Sequence, residues 1–228
     1  MRTPLRPRVG LPALSGLAFA ALTWQISVHG PLRTADERLG RTAVTDGVPG
    51  LPPGVAQFLA DLGNATVAVP VLVLAALWAL WRPCHAPRWH APLAAALAMA
   101  AVPALVVPLK LWIARPGPPP MAGVPAGFFP SGHAATAAVA YGAAALLLAY
   151  GRPSGRLRAV VAAGCAVVNI GVGAGLVRRG YHWPLDVLGS WCLAGVLLWA
   201  VARVLTRARA PRGPRPPRAS TTPAAPGR

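Results

Sequence analysis

The sequence contains few acidic residues and few charged residues overall. Asp and Glu together number five in a chain of 228 residues, and charged residues amount to 12%. Soluble domains carry roughly 25% charged residues, so this composition excludes an ordinary water-exposed surface. Metal sites of the two-metal type also become hard to build, because so few carboxylates are available to hold the ions. We therefore expect no metal and no other cofactor.

Cysteine and lysine are also scarce. The three cysteines, Cys84, Cys165 and Cys192, lie in or beside apolar runs without a pairing pattern, so we interpret them as small apolar residues of helices. Of 22 basic residues, 21 are Arg and only Lys110 is Lys. One explanation of the bias toward Arg is genomic, and the single Lys110 would then be accidental. The alternative, which we favour, is that this single ammonium is functional.

Apolar residues, in contrast, are abundant: they make up 55% of the chain, whose mean hydropathy is +0.51. About 20 apolar residues cross the roughly 30 Å hydrocarbon core of a bilayer. The sequence predicts an all-α integral membrane bundle of six spans, at 9–28, 54–81, 91–113, 131–150, 159–177 and 184–205. The first run also has the form of a secretory signal, but its apolar sequence continues past the small residues 18–20, which favours a span.

The segments between the spans predict how the chain is oriented. Residues 30–53 are polar and rich in turn signals, so they are predicted to form an external loop, with Asp36 in an outer helix cap. With both termini cytoplasmic, 15 of the 22 basic residues fall on inner segments. The net charge of +17 is therefore explained by basic residues that orient the chain in the cell membrane, and no nucleic-acid partner is predicted. Residues 206–228, rich in Pro and Arg, are predicted to be a disordered cytoplasmic tail.

The stretch Phe129-Pro130-Ser131-Gly132-His133 opens the fourth span. A helix that begins there leaves unpaired N–H groups pointing outward, and the positive end of its dipole adds to them, so an anion can bind. A histidine beside this position can exchange a proton near neutral pH. The stretch therefore predicts a phosphate site at a membrane surface.

Alternation of the spans brings three of their ends to the same outer face. The polar residues at these ends are Lys110, Arg115, Ser131, His133, Arg178, Arg179, His182 and Asp186. Ionisable groups at membrane depth are costly and usually functional. Simpler interpretations remain for some of them, since His182 with Asp186, and Ser131 with Gly132, suit helix caps. Arg178 or Arg179 suits an interfacial anchor.

These residues resemble the motifs of the type 2 phosphatidic acid phosphatase family, whose fold is shared with vanadium haloperoxidases and bacterial acid phosphatases. The resemblance covers roughly residues 54–205, with core motifs between 110 and 186. Pro-Ser-Gly-His is complete at 130–133, and a His followed four residues later by Asp stands at 182–186. The first motif, a Lys leading into an Arg-Pro pair, is present in modified form at 110–118.

Two departures from the family pattern concern arginines. Gly117 stands where the first motif usually has its Arg, and Gly175-Leu176 stands where the family usually has Ser-Arg. One hypothesis is that Arg115 and Arg179, or Arg178, supply the same charges from neighbouring positions. The other is that the enzyme is weakened or acts on a different target.

The resemblance implies a six-helix phosphatase domain over 1–205 that hydrolyses a lipid phosphate or lipid diphosphate without a cofactor. It implies that His182 attacks phosphorus to give a phosphohistidine, that Asp186 orients His182, and that His133 protonates the leaving oxygen and then activates water. The residues it implies for substrate binding are Lys110, Arg115, Ser131, Gly132, Arg179 and Arg178. The substrates implied are of the phosphatidic acid or undecaprenyl diphosphate type, handled on the extracytoplasmic side.

The alternative is a non-enzymatic membrane protein, a transporter or scaffold, that binds anionic headgroups with its outer basic cluster. The sequence leaves the oligomeric state open.

Overall fold

The computed structural model describes residues 10–81, 89–149 and 154–208. Over these ranges the chain forms eight α-helices and no β-strand, so the predicted all-α class is confirmed. The helices are α1 (Gly10–Ser27), α2 (Pro31–Thr45), α3 (Pro53–Asp61), α4 (Ala65–Trp81), α5 (His90–Ile113), α6 (Gly132–Leu148), α7 (Gly155–Arg178) and α8 (Pro184–Ala208). A short 3₁₀ turn, Pro119–Met121, lies between α5 and α6. Most of the predicted tail lies outside the described residues.

Three helices are long and apolar enough to cross a membrane by themselves: His90–Ile113, Gly155–Arg178 and Pro184–Arg207. Two further candidates are bent pairs, α1 with α2 at 83° and α3 with α4 at 49°. The helix α6 is apolar but shorter, with 17 residues. The chain is therefore a multi-pass helical membrane protein, while the count of six spans and the side that faces outward stay predictions.

The segment predicted as an external loop contains a helix, α2, and this corrects the sequence analysis. Pro31 begins the helix, and an Arg33–Glu37 ion pair of 2.7 Å supports its first turns. Its buried residues recur every three or four positions: Arg33, Asp36, Gly40 and Ala43. This spacing puts them on one helical face, and the turn signals of the segment lie at the two ends of the helix, at 30–31 and from Asp46 onward.

The predicted second span is broken into α3 and α4. The two helices are separated by residues 62–64, and Gly63 and Asn64 there supply the turn chemistry. The Asn64 carbonyl oxygen accepts hydrogen bonds from the N–H groups of Val67 and Ala68, which starts α4. On α6, the Tyr141 hydroxyl donates to the Leu62 carbonyl oxygen at 2.7 Å. The break is therefore held against the middle of the bundle.

The helix α6 is the centre of the bundle and contacts α4, α5, α7 and α8. Ten of its 17 residues are buried, and most of those ten are alanines. Small residues let neighbouring helices approach closely, as at Gly142, where an added Cβ would lie 2.4 Å from a methyl of Leu198. The buried residues begin at Ala134, so this packing fixes the helix directly after Gly132 and His133.

Candidate active site

The predicted site residues lie where α5 and α7 end and where α6 and α8 begin. The Ser131 N–H donates to the Asp186 carbonyl oxygen at 3.1 Å, and the Ser190 hydroxyl donates to the Ser131 carbonyl oxygen at 2.8 Å. These bonds fasten the start of α6 to the first turns of α8. The motif at 130–133 and the motif at 182–186 are therefore adjacent, although they are far apart in sequence.

His182 and Asp186 form a hydrogen-bonded pair. The His182 Nδ1 lies 3.3 Å from Asp186 Oδ2, which also accepts from the Trp183 N–H at 3.0 Å. Both side chains are buried, and the ring of Phe128 packs edge-on against His182 with 5.7 Å between ring centroids. Because Nδ1 faces the carboxylate, Nε2 is the nitrogen that can act on a substrate. This geometry suits a nucleophile with a carboxylate that orients it.

Arg115 is buried beside this pair, between two carboxylates. Its Nη1 contacts Asp186 Oδ1 at 2.6 Å, and its Nη2 contacts Asp36 Oδ2 at 2.6 Å. The side chain is 0% exposed, and the guanidinium lies over the Trp183 ring, 5.5 Å from its centroid. Arg115 was expected to bind phosphate in place of a residue at 117. Its position does not favour that expectation, because the guanidinium would have to leave both carboxylates to reach a substrate.

Asp36 is a site residue that the sequence analysis treated as a helix cap. It lies on α2, outside the long apolar helices, and its Oδ1 accepts from the Leu185 N–H at 2.8 Å at the start of α8. The chain has only five acidic residues, so the presence of Asp36 in a segment predicted to be a loop was the one sequence signal of a functional role.

Two roles, a helix cap and an anion site, were predicted for Ser131 and Gly132, and the structure gives the two residues different surroundings. The Ser131 hydroxyl accepts from the Ala134 N–H at 3.2 Å and is buried, so it serves as the N-cap of α6. Gly132 faces open space, since an added Cβ would meet no atom within 4 Å. The cap interpretation therefore accounts for the serine, and the open approach needed for an anion lies at the glycine.

Arg178 and Arg179 point toward α2 and α3. The Arg178 Nη1 donates to the Val44 carbonyl oxygen at 3.3 Å. The Arg179 Nε donates to Gln57 Oε1 at 2.9 Å, and the same oxygen accepts from the Tyr181 hydroxyl at 2.7 Å. These bonds hold the two arginines at the rim of the site, in the directions of α2 and α3.

Lys110 and His133 complete the group around His182. Lys110 is half-buried near the end of α5 and interacts electrostatically with Asp186. The charges of Lys110, His182 and Asp61 all act on His133, whose Nε2 lies 2.8 Å from Asn64 Oδ1. Asp61 and Asn64 were not expected at the site, because they lie in a segment that was predicted to be one continuous span. Within the ranges that the structure describes, no three His, Cys, Asp or Glu side chains are grouped to hold a metal ion.

The residues that depart from the family pattern are tightly packed against their neighbours. An added Cβ at Gly117 would lie 2.6 Å from the Phe128 ring. An added Cβ at Gly175 would lie 2.5 Å from the Ala56 carbonyl oxygen on α3, and the neighbouring Leu176 is 1% exposed. Side chains larger than glycine therefore cannot enter either position without moving Phe128 or α3.

Two comparisons with known proteins find similarity over most of the chain. A family model described as the PAP2 superfamily matches residues 58–210. The crystal structure of the first transmembrane PAP2 type phosphatidylglycerolphosphate phosphatase, from Bacillus subtilis, matches with a TM-score of 0.73 and 27% sequence identity. That match covers 88% of this chain and 98% of the other. Among curated proteins, no sequence matches this chain significantly.

Proposed function

The chain belongs to the PAP2 superfamily, and from that premise we propose that it hydrolyses a lipid phosphomonoester through a phosphohistidine on His182. Membership makes it a phosphoric-ester hydrolase acting on lipid phosphates, which favours this class over a transporter or scaffold. The observation that carries the proposal is the 3.3 Å pair of His182 and Asp186, which interacts electrostatically with His133 and Lys110. Each of these residue types has a place in phosphoryl transfer.

The charge of the site supports a phosphomonoester over a lipid diphosphate. The guanidinium of Arg115 is neutralised by Asp36 and Asp186, and Arg179 is held by Gln57 at the rim. Lys110 and the start of α6 at Gly132 then provide the positive field for the phosphoryl oxygens. A diphosphate carries more negative charge than a monoester, so more cationic groups are needed to offset the desolvation of its oxygens than this site offers. Our preferred candidates are phosphatidic acid and phosphatidylglycerol phosphate, the lipid for which the Bacillus subtilis phosphatase is named.

In the first step, Nε2 of His182 attacks phosphorus and forms the N–P bond. The P–O bond to the lipid breaks, and the leaving oxygen takes a proton from His133. Asp186 accepts the hydrogen bond from Nδ1 and stabilises the positive charge that develops on the ring of His182. Lys110 and the Gly132 N–H stabilise the phosphoryl oxygens.

In the second step, water hydrolyses the phosphohistidine. His133, now neutral, takes a proton from the water as its oxygen attacks phosphorus. The N–P bond breaks, inorganic phosphate leaves, and His182 regains its neutral ring. One histidine therefore acts first as an acid and then as a base, and no further reactant than water is needed.

Arg115 and Asp36 take part through Asp186 and not through the substrate. The carboxylate of Asp186 has one oxygen on Arg115 and the other facing His182 and the Trp183 N–H. Arg115 is therefore a positioning residue that fixes the plane of this carboxylate, and Asp36 ties the same guanidinium to α2. This interpretation replaces the hypothesis that Arg115 binds phosphate.

The test is phosphate release in detergent, with a chelator and no added metal, from a panel of lipid monophosphates and diphosphates. We expect release from the monophosphates, and loss of release in His182→Ala and His133→Ala. The control is His90→Ala, which alters a histidine stacked on Trp89 at the opposite end of α5. Unchanged release in both site variants would contradict the enzyme mechanism, and faster release from diphosphates would contradict the preferred substrate.

A further inference from the structure

A chain of hydrogen bonds runs from His133 to the end of α3. The His133 Nε2 lies 2.8 Å from Asn64 Oδ1, and the Asn64 Nδ2 donates to Asp61 Oδ1 at 3.1 Å. Gln57 Nε2 donates to the same carboxylate oxygen at 3.0 Å. All three partners of this chain lie on α3 or on the break between α3 and α4, and none is part of the motifs at 110–118, 130–133 and 182–186.

The chain fixes which nitrogen of His133 carries the proton. A carboxylate oxygen only accepts hydrogen bonds, so the amide nitrogen of Asn64 must face Asp61. The amide oxygen then faces His133, and because that oxygen also only accepts, His133 must donate from Nε2. In the neutral ring, Nδ1 is therefore the nitrogen with the lone pair. Asn64 can accept from Nε2 in the neutral ring and in the imidazolium alike.

The close packing of α3 holds these partners in place. Gly63 lies against both helices of the site, since an added Cβ would be 3.2 Å from His133 Cβ and 3.0 Å from Val172 Cγ1. Gly175 lets the backbone of α3 approach α7, and Tyr141 binds the Leu62 carbonyl oxygen from α6. The break between α3 and α4 is thus fixed on two sides, which leaves Asn64 little freedom to move away.

We propose that Asn64, supported by Asp61, is the positioning residue of His133, holding Nε2 protonated so that Nδ1 serves the reaction. The inference rests on the acid–base role of His133 in the proposed function. The charged or titratable groups that act on His133 are Asp61 from α3, Lys110 from α5 and His182 from the α7–α8 connection. Asn64 presents a neutral acceptor among them. It therefore orients the ring without neutralising the imidazolium that must protonate the leaving group.

The inference predicts a dependence on the leaving group. An alcohol leaves phosphorus only with a proton from His133, whereas p-nitrophenolate leaves readily without one. We expect Asn64→Ala to lower kcat/KM for a lipid alkyl phosphate about ten- to hundredfold, part of the ~10²- to 10⁴-fold that such proton transfer contributes. For p-nitrophenyl phosphate the loss should be less than about threefold, because kcat/KM reports the step in which the leaving group departs. A general structural defect would lower both values equally.

Asn64→Asp provides a second variant that keeps the size and an acceptor oxygen. Its carboxylate would favour the imidazolium of His133, so the basic limb of the kcat/KM pH profile should move to higher pH. Asn169→Ala is the matched control, because the Asn169 amide donates to the Cys165 carbonyl oxygen within α7, away from the site. Both activity and pH profile should stay close to wild type in this control.

Two results would overturn the inference while leaving the proposed function intact. One is an equal loss on the alkyl and aryl phosphates in Asn64→Ala protein that still elutes as a single species in detergent. The other is an unshifted pH profile in Asn64→Asp. A wild-type protein that releases no phosphate from any lipid would contradict the proposed function itself.

Discussion

Arg115 and Asp186 are joined by a 2.6 Å contact between Nη1 and Oδ1, and both side chains are 0% exposed. The same guanidinium lies 2.6 Å from Asp36, so one cation in the interior is shared by two carboxylates from α2 and α8. Burying such groups requires desolvation, and only close, well-oriented contacts offset that loss. The arrangement therefore ties the orientation of the carboxylate behind His182 to the docking of α2.

The first prediction concerns removal of this shared cation. Arg115→Ala should lower the free energy of unfolding by roughly 3–5 kcal/mol, because it leaves two buried carboxylates without a counter-ion. Activity should fall strongly as well, since Asp186 loses its orientation. Thermal unfolding in detergent and phosphate release measure the two effects.

The control for this variant is Arg41→Ala, whose side chain is 49% exposed, pairs with Glu37 at 3.9 Å and lies 5.8 Å from the centroid of the Trp183 ring. An exposed pair of that kind contributes about 0–1 kcal/mol. Stability and turnover in Arg115→Ala that matched those of Arg41→Ala would show that the buried network supports neither.

The second prediction is that restoring a family-like residue is harmful at position 175. Gly175→Ser should lower the free energy of unfolding by about 1–3 kcal/mol, because its Cβ meets the Ala56 carbonyl oxygen and the Ala60 nitrogen. Backbone atoms cannot turn aside as a side chain can, so α3 must shift. Thermal unfolding in detergent tests this, and kcat should fall too, since α3 carries Asp61.

Gly164→Ser is the matched control on the same helix, where an added Cβ meets no atom within 4 Å. Its stability should change little compared with Gly175→Ser. Equal effects of the two substitutions would mean that the approach of α3 to α7 is not as close as the structure has it.

The third prediction couples Gly117 to Phe128. Gly117→Ala should lower the free energy of unfolding by about 1–3 kcal/mol and reduce kcat, because the new methyl displaces the Phe128 ring that packs against His182. In a Phe128→Ala background the same substitution should have almost no effect on stability. A double-mutant cycle in thermal unfolding isolates this coupling, and additive effects of the two substitutions would contradict it.

The sequence predicted the helical class and the contact between His182 and Asp186, because apolar length and short motifs are local signals. The helix α2 was missed because turn signals at 30–31 and 46–53 made the whole segment look like a loop. The helical spacing of its buried residues Arg33, Asp36 and Gly40 lies between those signals. The contact of Arg115 with Asp36 could not be predicted because the two residues are 79 positions apart. Asn64 was hidden for a similar reason: a break in an apolar run is decided by packing against α6 and α7, which no local pattern records.

The fourth prediction concerns Lys110, the only lysine in the chain. It is half-buried and acts electrostatically on Asp186 and His133, and Arg115 is occupied by carboxylates. Lys110→Met should therefore lower kcat/KM by roughly 10²- to 10³-fold, the usual effect of removing a group that stabilises transition-state charge. Lys110→Arg should recover part of this loss, because it keeps the charge but not the geometry of an ammonium.

Inhibition by the product separates this role from a structural one. Inorganic phosphate should inhibit Lys110→Met more weakly than wild type, whereas the midpoint of thermal unfolding should change little, since a partly solvated cation is removed and not one enclosed by carboxylates. Arg41→Met, which removes an exposed cation from α2, should leave both values unchanged. Inhibition by phosphate as strong as in wild type would show that Lys110 does not contact the phosphoryl group. The positive field of the site would then have to come from the amides at the start of α6 together with Arg179.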